Sequence, residues 1–269
     1  MRSKATVTTH DGLHLYVVMN TVTRPLATVL IVHGLCEHQT RYEYPALRLN
    51  AQGFNVCRFD QRGHGRSDGQ RTHYEVWTDI SDDVRAVFDH CRAEDASLPF
   101  FILGHSMGGY AAACFATRFP GLASGFILSG APTRYNLELV GPLPLDMGDK
   151  EYLPFAMSID DVSDPAVARS YADDPLVENK FTAGLMNCLG EGIGYLKAHP
   201  DRFTDSVLIL QGLNDTMVAE QDSRELFAEI AAADKSLRIY AGLMHDLFEE
   251  FDKDLIIDDC LEWLKRRLA

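Results

Sequence analysis

Residues 100–109 read Phe100-Phe101-Ile102-Leu103-Gly104-His105-Ser106-Met107-Gly108-Gly109. Four apolar residues run straight into Gly-His-Ser-Met-Gly. The run is short, apolar on both faces and preceded by Pro99, which reads as a buried parallel strand. After Ser106 the chain continues Gly108-Gly109-Tyr110-Ala111-Ala112-Ala113, rich in helix formers. G-x-S-x-G alone is a loose pattern. Strand, one-residue turn and helix are the context in which it carries chemistry. The serine then sits at strained backbone angles on a sharp turn. Strand and helix pass so close that Gly104 and Gly108 have no room for a Cβ. The first N–H groups of the helix lie beside the hydroxyl, where they can bind an anion.

Outward from this unit, strands alternate with helices. Residues 5–8 and 13–18 flank Asp11-Gly12, which predicts a hairpin closed by a type I′ turn. Buried strands are expected at 27–32, 54–59, 125–129, 207–211 and 237–240. Helices are expected at 42–52, closed by Gly53, and at 77–92, 221–231 and 252–268. One hairpin followed by strand–helix alternation implies α/β architecture, a mostly parallel sheet covered on both faces. From 131 to 205 the texture changes: prolines, glycines, Met and aromatics, a helix at about 179–196 and no clear strand. Residues 1–130 and 206–269 therefore form the core. Residues 131–205 are an insertion above the sheet's C-terminal edge, where ligands bind in such folds.

The 269 residues suit one such domain. Net charge is −14, from 39 acids and 25 bases, which repels nucleic acid and anionic membrane surfaces. The six cysteines lie far apart without a C-x-x-C pair, so no metal site is expected. Cys57 and Cys114 read as small core residues. The N-terminus lacks an apolar leader and no apolar run approaches 18 residues, which leads to the expectation of a cytoplasmic protein.

A neutral serine hydroxyl is a poor nucleophile and needs a base, oriented by an acid. Around a serine of this kind the partners follow as Ser, acid, His, at the ends of later strands. Residues 208–215 run Leu-Ile-Leu-Gln-Gly-Leu-Asn-Asp, offering Asp215 as the acid. Residues 239–245 run Ile-Tyr-Ala-Gly-Leu-Met-His, offering His245 as the base. The other histidine after Ser106, His199, precedes Pro200 inside the insertion and follows no strand. An oxyanion needs donors: the Met107 N–H, and the Leu35 N–H in the His33-Gly34-Leu35 loop after the first buried parallel strand.

With these motifs in place, the chain resembles the α/β-hydrolases of the monoacylglycerol lipase and lysophospholipase branch. The resemblance rests on His-Gly-x-x-Glu-His-x-x-Arg-Tyr from His33, Phe-Asp-x-Arg-Gly-His-Gly-x-Ser-Asp-Gly from Phe59 and the Gly104–Gly109 motif. Asp174-Pro175-Leu176-Val177 and the stretch from Gln211 to His245 extend it. It implies an eight-stranded α/β-hydrolase sheet with a helical lid at 131–205. It further implies a cofactor-free, metal-free serine ester hydrolase that releases fatty acid and glycerol from monoacylglycerols through an acyl-enzyme. It places Glu37 and Arg41 at the glycerol head; a loop-bracing ion pair is the other reading of the two. Phe248 departs from the family, which often has a polar head-group residue there. Three alternatives stand beside this: a short-chain or cinnamoyl-type esterase, a lysophospholipase, and a binding protein without catalysis. Ser rather than Asp as nucleophile disfavours dehalogenase chemistry. The expected partner is a lipid ester, with transient lid contact with a membrane allowed and no nucleic acid. Monomer and homodimer both remain open. Leu137, Leu139, Leu143, Leu145, Met147, Phe155 and Met157 either line an acyl tunnel or bury the lid on the core.

Overall fold

Runs of buried β-branched and aromatic residues build the centre of the sheet. The computed structural model describes residues 1–158 and 161–268. Its strands are β1 (Arg2–Thr8), β2 (His14–Asn20), β3 (Ala27–Val32), β4 (Phe54–Phe59), β5 (Phe100–His105), β6 (Gly125–Ser129), β7 (Tyr152–Pro154), β8 (Lys180–Thr182), β9 (Val207–Gly212) and β10 (Lys235–Tyr240). Every residue of β3, β4, β5, β6 and β9 is buried, as strands covered on both faces require. The helices are α1 (Glu43–Ala51), α2 (Asp79–Arg92), α3 (Met107–Arg118), α4 (Pro165–Asp173), α5 (Ala183–Ala198), α6 (Glu220–Glu229) and α7 (Lys253–Lys265).

The main sheet has eight strands in the order β1-β2-β4-β3-β5-β6-β9-β10. Pairings of β2 with β1 and β4 are antiparallel and the rest are parallel. This is the α/β-hydrolase architecture. Its strand order turns at β3, which has β4 on one side and β5 on the other. The loops after β3 and β5 part there and open the crevice in which such sheets bind ligands. Two cores sit on opposite faces. One packs α2 and α3 through Val84, Val87, Phe88 and Phe115. The other packs α1 and α7 through Leu49, Ile256, Ile257 and Leu264.

Three expectations need correction. The hairpin loop is longer than a type I′ turn: Thr9 N–H donates to the Leu13 carbonyl at 2.9 Å and Gly12 N–H to the Thr9 carbonyl at 3.1 Å. Only Gly12 has positive φ, +91°, whereas type I′ needs two such residues. The 131–205 segment does contain strands, since β7 and β8 pair antiparallel. Each spans three residues, too few to show a period. It also contains α4, whose start is written in Asp164-Pro165: the Asp164 carboxylate caps Ala166 N–H at 2.8 Å and proline takes the first turn. Cys57 is a buried core residue as expected, and its sulfur lies beside that of Cys91 where β4 meets α2. Residues 159 and 160 of the segment lie outside the described residues. No described helix is long and apolar enough to cross a membrane.

Candidate active site

β5 carries Ser106 to the crevice and α3 begins at the next residue. Ser106 has φ +53° and ψ −125°, backbone angles that cost a non-glycine residue on the order of 1–3 kcal/mol. Two hydrogen bonds hold it there: Ser106 N–H to the Ser129 carbonyl at 2.8 Å, and Tyr110 N–H to the Ser106 carbonyl at 3.0 Å. A Cβ on Gly104 would strike the Gly108 backbone, and one on Gly108 would strike the carbonyls of Val32 and His33. The two glycines thus let strand, turn and helix close up.

Loops after β9 and β10 bring Asp215 and His245 to the serine. His245 Nε2 lies 2.9 Å from Ser106 Oγ, and His245 Nδ1 lies 2.8 Å from Asp215 Oδ2. Both side chains are buried. Burial opposes a charged imidazole, but the Asp215 carboxylate, joined by Asp246 and Glu37, outweighs it and raises the His245 pKa above the ordinary value. Burial likewise favours a neutral Asp215. The imidazole and the N–H groups of Val218 and Met217 outweigh that and hold its carboxyl below the usual range. Gln211 adds a bond from Nε2 to Asp215 Oδ2 at 2.9 Å, and is itself fixed by Ser223 Oγ at 2.9 Å. A hydroxyl in line with an imidazole and a fixed carboxylate is the arrangement that activates serine for attack on an acyl carbon.

The loop after β3 faces this serine. Gly34 lies so close that an added Cβ would sit 3.1 Å from Ser106 Cβ. Among the described residues neither the Leu35 nor the Met107 N–H donates to another group, so both are available to an oxyanion. His33 anchors the loop, its Nε2 accepting Gln61 N–H at 2.9 Å and its Nδ1 donating to the Gly34 carbonyl at 2.8 Å. Burial pushes the His33 pKa down to about 3.

Glu37 is buried beneath the same loop. Its Oε1 accepts Gly34 N–H at 2.8 Å and Tyr42 Oη at 3.2 Å, and its Oε2 lies 3.9 Å from Arg41 Nε. Burial and the nearby Asp246 carboxylate hold the Glu37 pKa well above the usual carboxylate range, although Arg41 opposes them. Arg41 donates to Ser170 Oγ at 3.2 Å and Glu249 Oε1 at 3.4 Å, and its guanidinium lies 3.5 Å over the Tyr171 ring. These are the contacts of a brace. Phe248 is buried against Tyr42 and His105.

A small cleft, partly open to solvent, reaches Ser106 between Leu35, Met107, Tyr135, Leu139, Leu189 and Met217. Of the apolar residues expected around an acyl chain, only Leu139 lines this cleft. Leu143 borders another pocket, as do Phe155 and Met157, while Leu137 and Met147 are exposed. α5 supplies Met186 and Leu189 to the wall instead. Sequence reasoning missed Gln211 and Tyr135. It also missed Asp246, whose place beside His245 was the available signal.

The family model described as "Serine aminopeptidase, S33" matches residues 23–252. A monoacylglycerol lipase from Mycolicibacterium smegmatis is 32% identical over 265 residues, covering 94% of this chain and 93% of the relative. The crystal structure of Paleococcus ferrophilus monoacylglycerol lipase superposes with a TM-score of 0.82 at 25% identity, covering 94% of this chain and 99% of that one. A thermostable carboxyl esterase from Bacillus coagulans in complex with glycerol has a TM-score of 0.87. At 18% identity, over 100% of this chain and 99% of that one, it shows the fold alone.

Proposed function

The chain belongs to the α/β-hydrolase family of that serine aminopeptidase S33 model, in its monoacylglycerol lipase-like branch, and on that premise we propose that it hydrolyses monoacylglycerols to fatty acid and glycerol. The observation that carries the reading is the continuous line from Ser106 Oγ through His245 to Asp215 at 2.9 and 2.8 Å.

In the first half-reaction Ser106 Oγ bonds to the acyl carbon and His245 Nε2 takes the hydroxyl proton. The carbonyl oxygen becomes an oxyanion facing the Leu35 and Met107 N–H groups; one such donor is typically worth about 10²–10³ in rate. The carbon–oxygen bond to the alcohol then breaks and His245 returns the proton to glycerol. In the second half-reaction water attacks the acyl-enzyme, His245 takes its proton, and Ser106 leaves with that proton as the fatty acid departs. Asp215 fixes the imidazole tautomer throughout. Residues 131–205 act as the lid, with α5 closing the acyl side. The chemistry needs no cofactor.

A second reading is favoured by one observation. The Glu37 carboxylate is already engaged by Gly34 N–H and Tyr42 Oη, and Phe248 is apolar and buried. An enzyme built so would read only the acyl half of its ester. The test is kcat/KM for a medium-chain monoacylglycerol against the methyl ester of the same acid, in the native protein and in Glu37→Ala. A preference for the glycerol ester that Glu37→Ala abolishes supports head-group recognition by Glu37 and Arg41. Equal rates on both esters, each lowered by Glu37→Ala, would replace it with a general esterase whose Glu37 braces the oxyanion loop.

A further inference from the structure

The base sits on a loop beyond the end of the sheet. His245 follows β10, an edge strand with one neighbour and only half-buried residues. Yet its imidazole must hold two hydrogen bonds at once, and a misplacement of about 1 Å can cost on the order of 10²-fold in rate. Contacts from the 131–205 segment act on this loop. Tyr171, on α4, donates from Oη to Asp246 Oδ2 at 2.5 Å, with both residues buried. Asp246 is the residue after His245, and its other oxygen lies 3.7 Å from His105 Nε2. The His105 ring packs 4.9 Å from the His245 ring, centroid to centroid. Ahead of α4, the Asp161 carbonyl accepts His245 N–H at 3.2 Å. The Asp161 carboxylate accepts from Thr216, the residue after Asp215, at 2.7 Å.

One stretch of chain therefore pins the loops of both the acid and the base. We infer that the segment bearing Asp161 and α4 sets the position of the His245 imidazole, with Tyr171 as a positioning residue for the reaction. Arg41, stacked on the Tyr171 ring, keeps the phenol directed at Asp246. The segment thus works as part of the catalytic frame as well as a cover over the cleft. This rests on the assignment of His245 as base to Ser106.

A double-mutant cycle on Tyr171→Phe and Asp246→Ala tests it, with p-nitrophenyl butyrate as a short soluble ester. Each single change is expected to lower kcat about tenfold with KM within about twofold. The double variant should lose no more than either single one, because both remove the same tie. Asp246→Asn, whose amide oxygen still accepts from Tyr171, should recover most of the rate. Wild-type kcat in Tyr171→Phe, a loss confined to KM, or multiplicative losses in the double variant would overturn the inference. If Asp246→Ala does not fold, Tyr171→Phe alone decides by the same criteria. Native protein that a fluorophosphonate fails to label at Ser106 would overturn both this inference and the reading beneath it. Labelled native protein with an indifferent Tyr171→Phe would overturn this inference alone.

Discussion

Ser106, His245 and Asp215 each stand just beyond the end of a strand, and that placement does most of their work. Asp215 raises the His245 pKa despite burial, so the imidazole gains its proton as pH falls through a value above the ordinary 6.5. A protonated His245 cannot serve as base, and kcat/KM should therefore decline on the acid side. In Asp215→Asn the anion is gone and the His245 pKa drops, so the acid limb should move to lower pH. At neutral pH kcat should fall on the order of 10³–10⁴-fold through loss of the tautomer. A pH–rate profile checks both, and an unmoved limb with a loss below tenfold would point to another acid. These three residues were legible because residue type and strand ends agree. The direction of Glu37 was not: an acid three residues past Gly34 serves a turn or a substrate equally well, and its bond to Gly34 N–H is visible only in three dimensions.

At the scale of elements, α3 is packed tightly between the sheet and its neighbours, with Ala111, Ala112, Ala113 and Ala116 all fully buried. This closeness delivers the Met107 N–H to the serine. A methyl group at Gly108 would meet the carbonyls after β3 and push α3 away. Gly108→Ala should cost about 1–3 kcal/mol of stability, as overpacked cores do. It should also slow fluorophosphonate labelling of Ser106 by more than tenfold. Thermal melts and labelling rates check this, and a native melt with native labelling would contradict it. Long apolar runs such as Val207–Gly212 were readable because burial on both faces leaves little choice of residue. β7 and β8 were not, being three residues each and stabilised by their partner rather than by pattern. α4 was announced by Asp164-Pro165, but its mixed polarity over nine residues hid the apolar stripe of Val167, Ala168 and Tyr171.

On the scale of the whole molecule, strands far apart in sequence end at one edge, where Ser106, His245 and Asp215 meet. That the sheet is mostly parallel was legible because alternation of strand and helix admits few topologies; its strand order was not. Within the 131–205 segment α5 was legible from its apolar stripe; the stretch around α4 was not, since its contacts are made one residue at a time with core loops: Tyr171 with Asp246, Asp161 with Thr216, His38 with Asp174. The most direct measurement is glycerol release from a medium-chain monoacylglycerol by the native chain and by Ser106→Ala, with fluorophosphonate labelling alongside. The account predicts turnover and one label, on Ser106, in the native protein. Ser106→Ala should keep the native fold by circular dichroism and lose turnover by several orders of magnitude. A native protein that neither takes the label nor releases glycerol, or a Ser106→Ala that turns over normally, would contradict it.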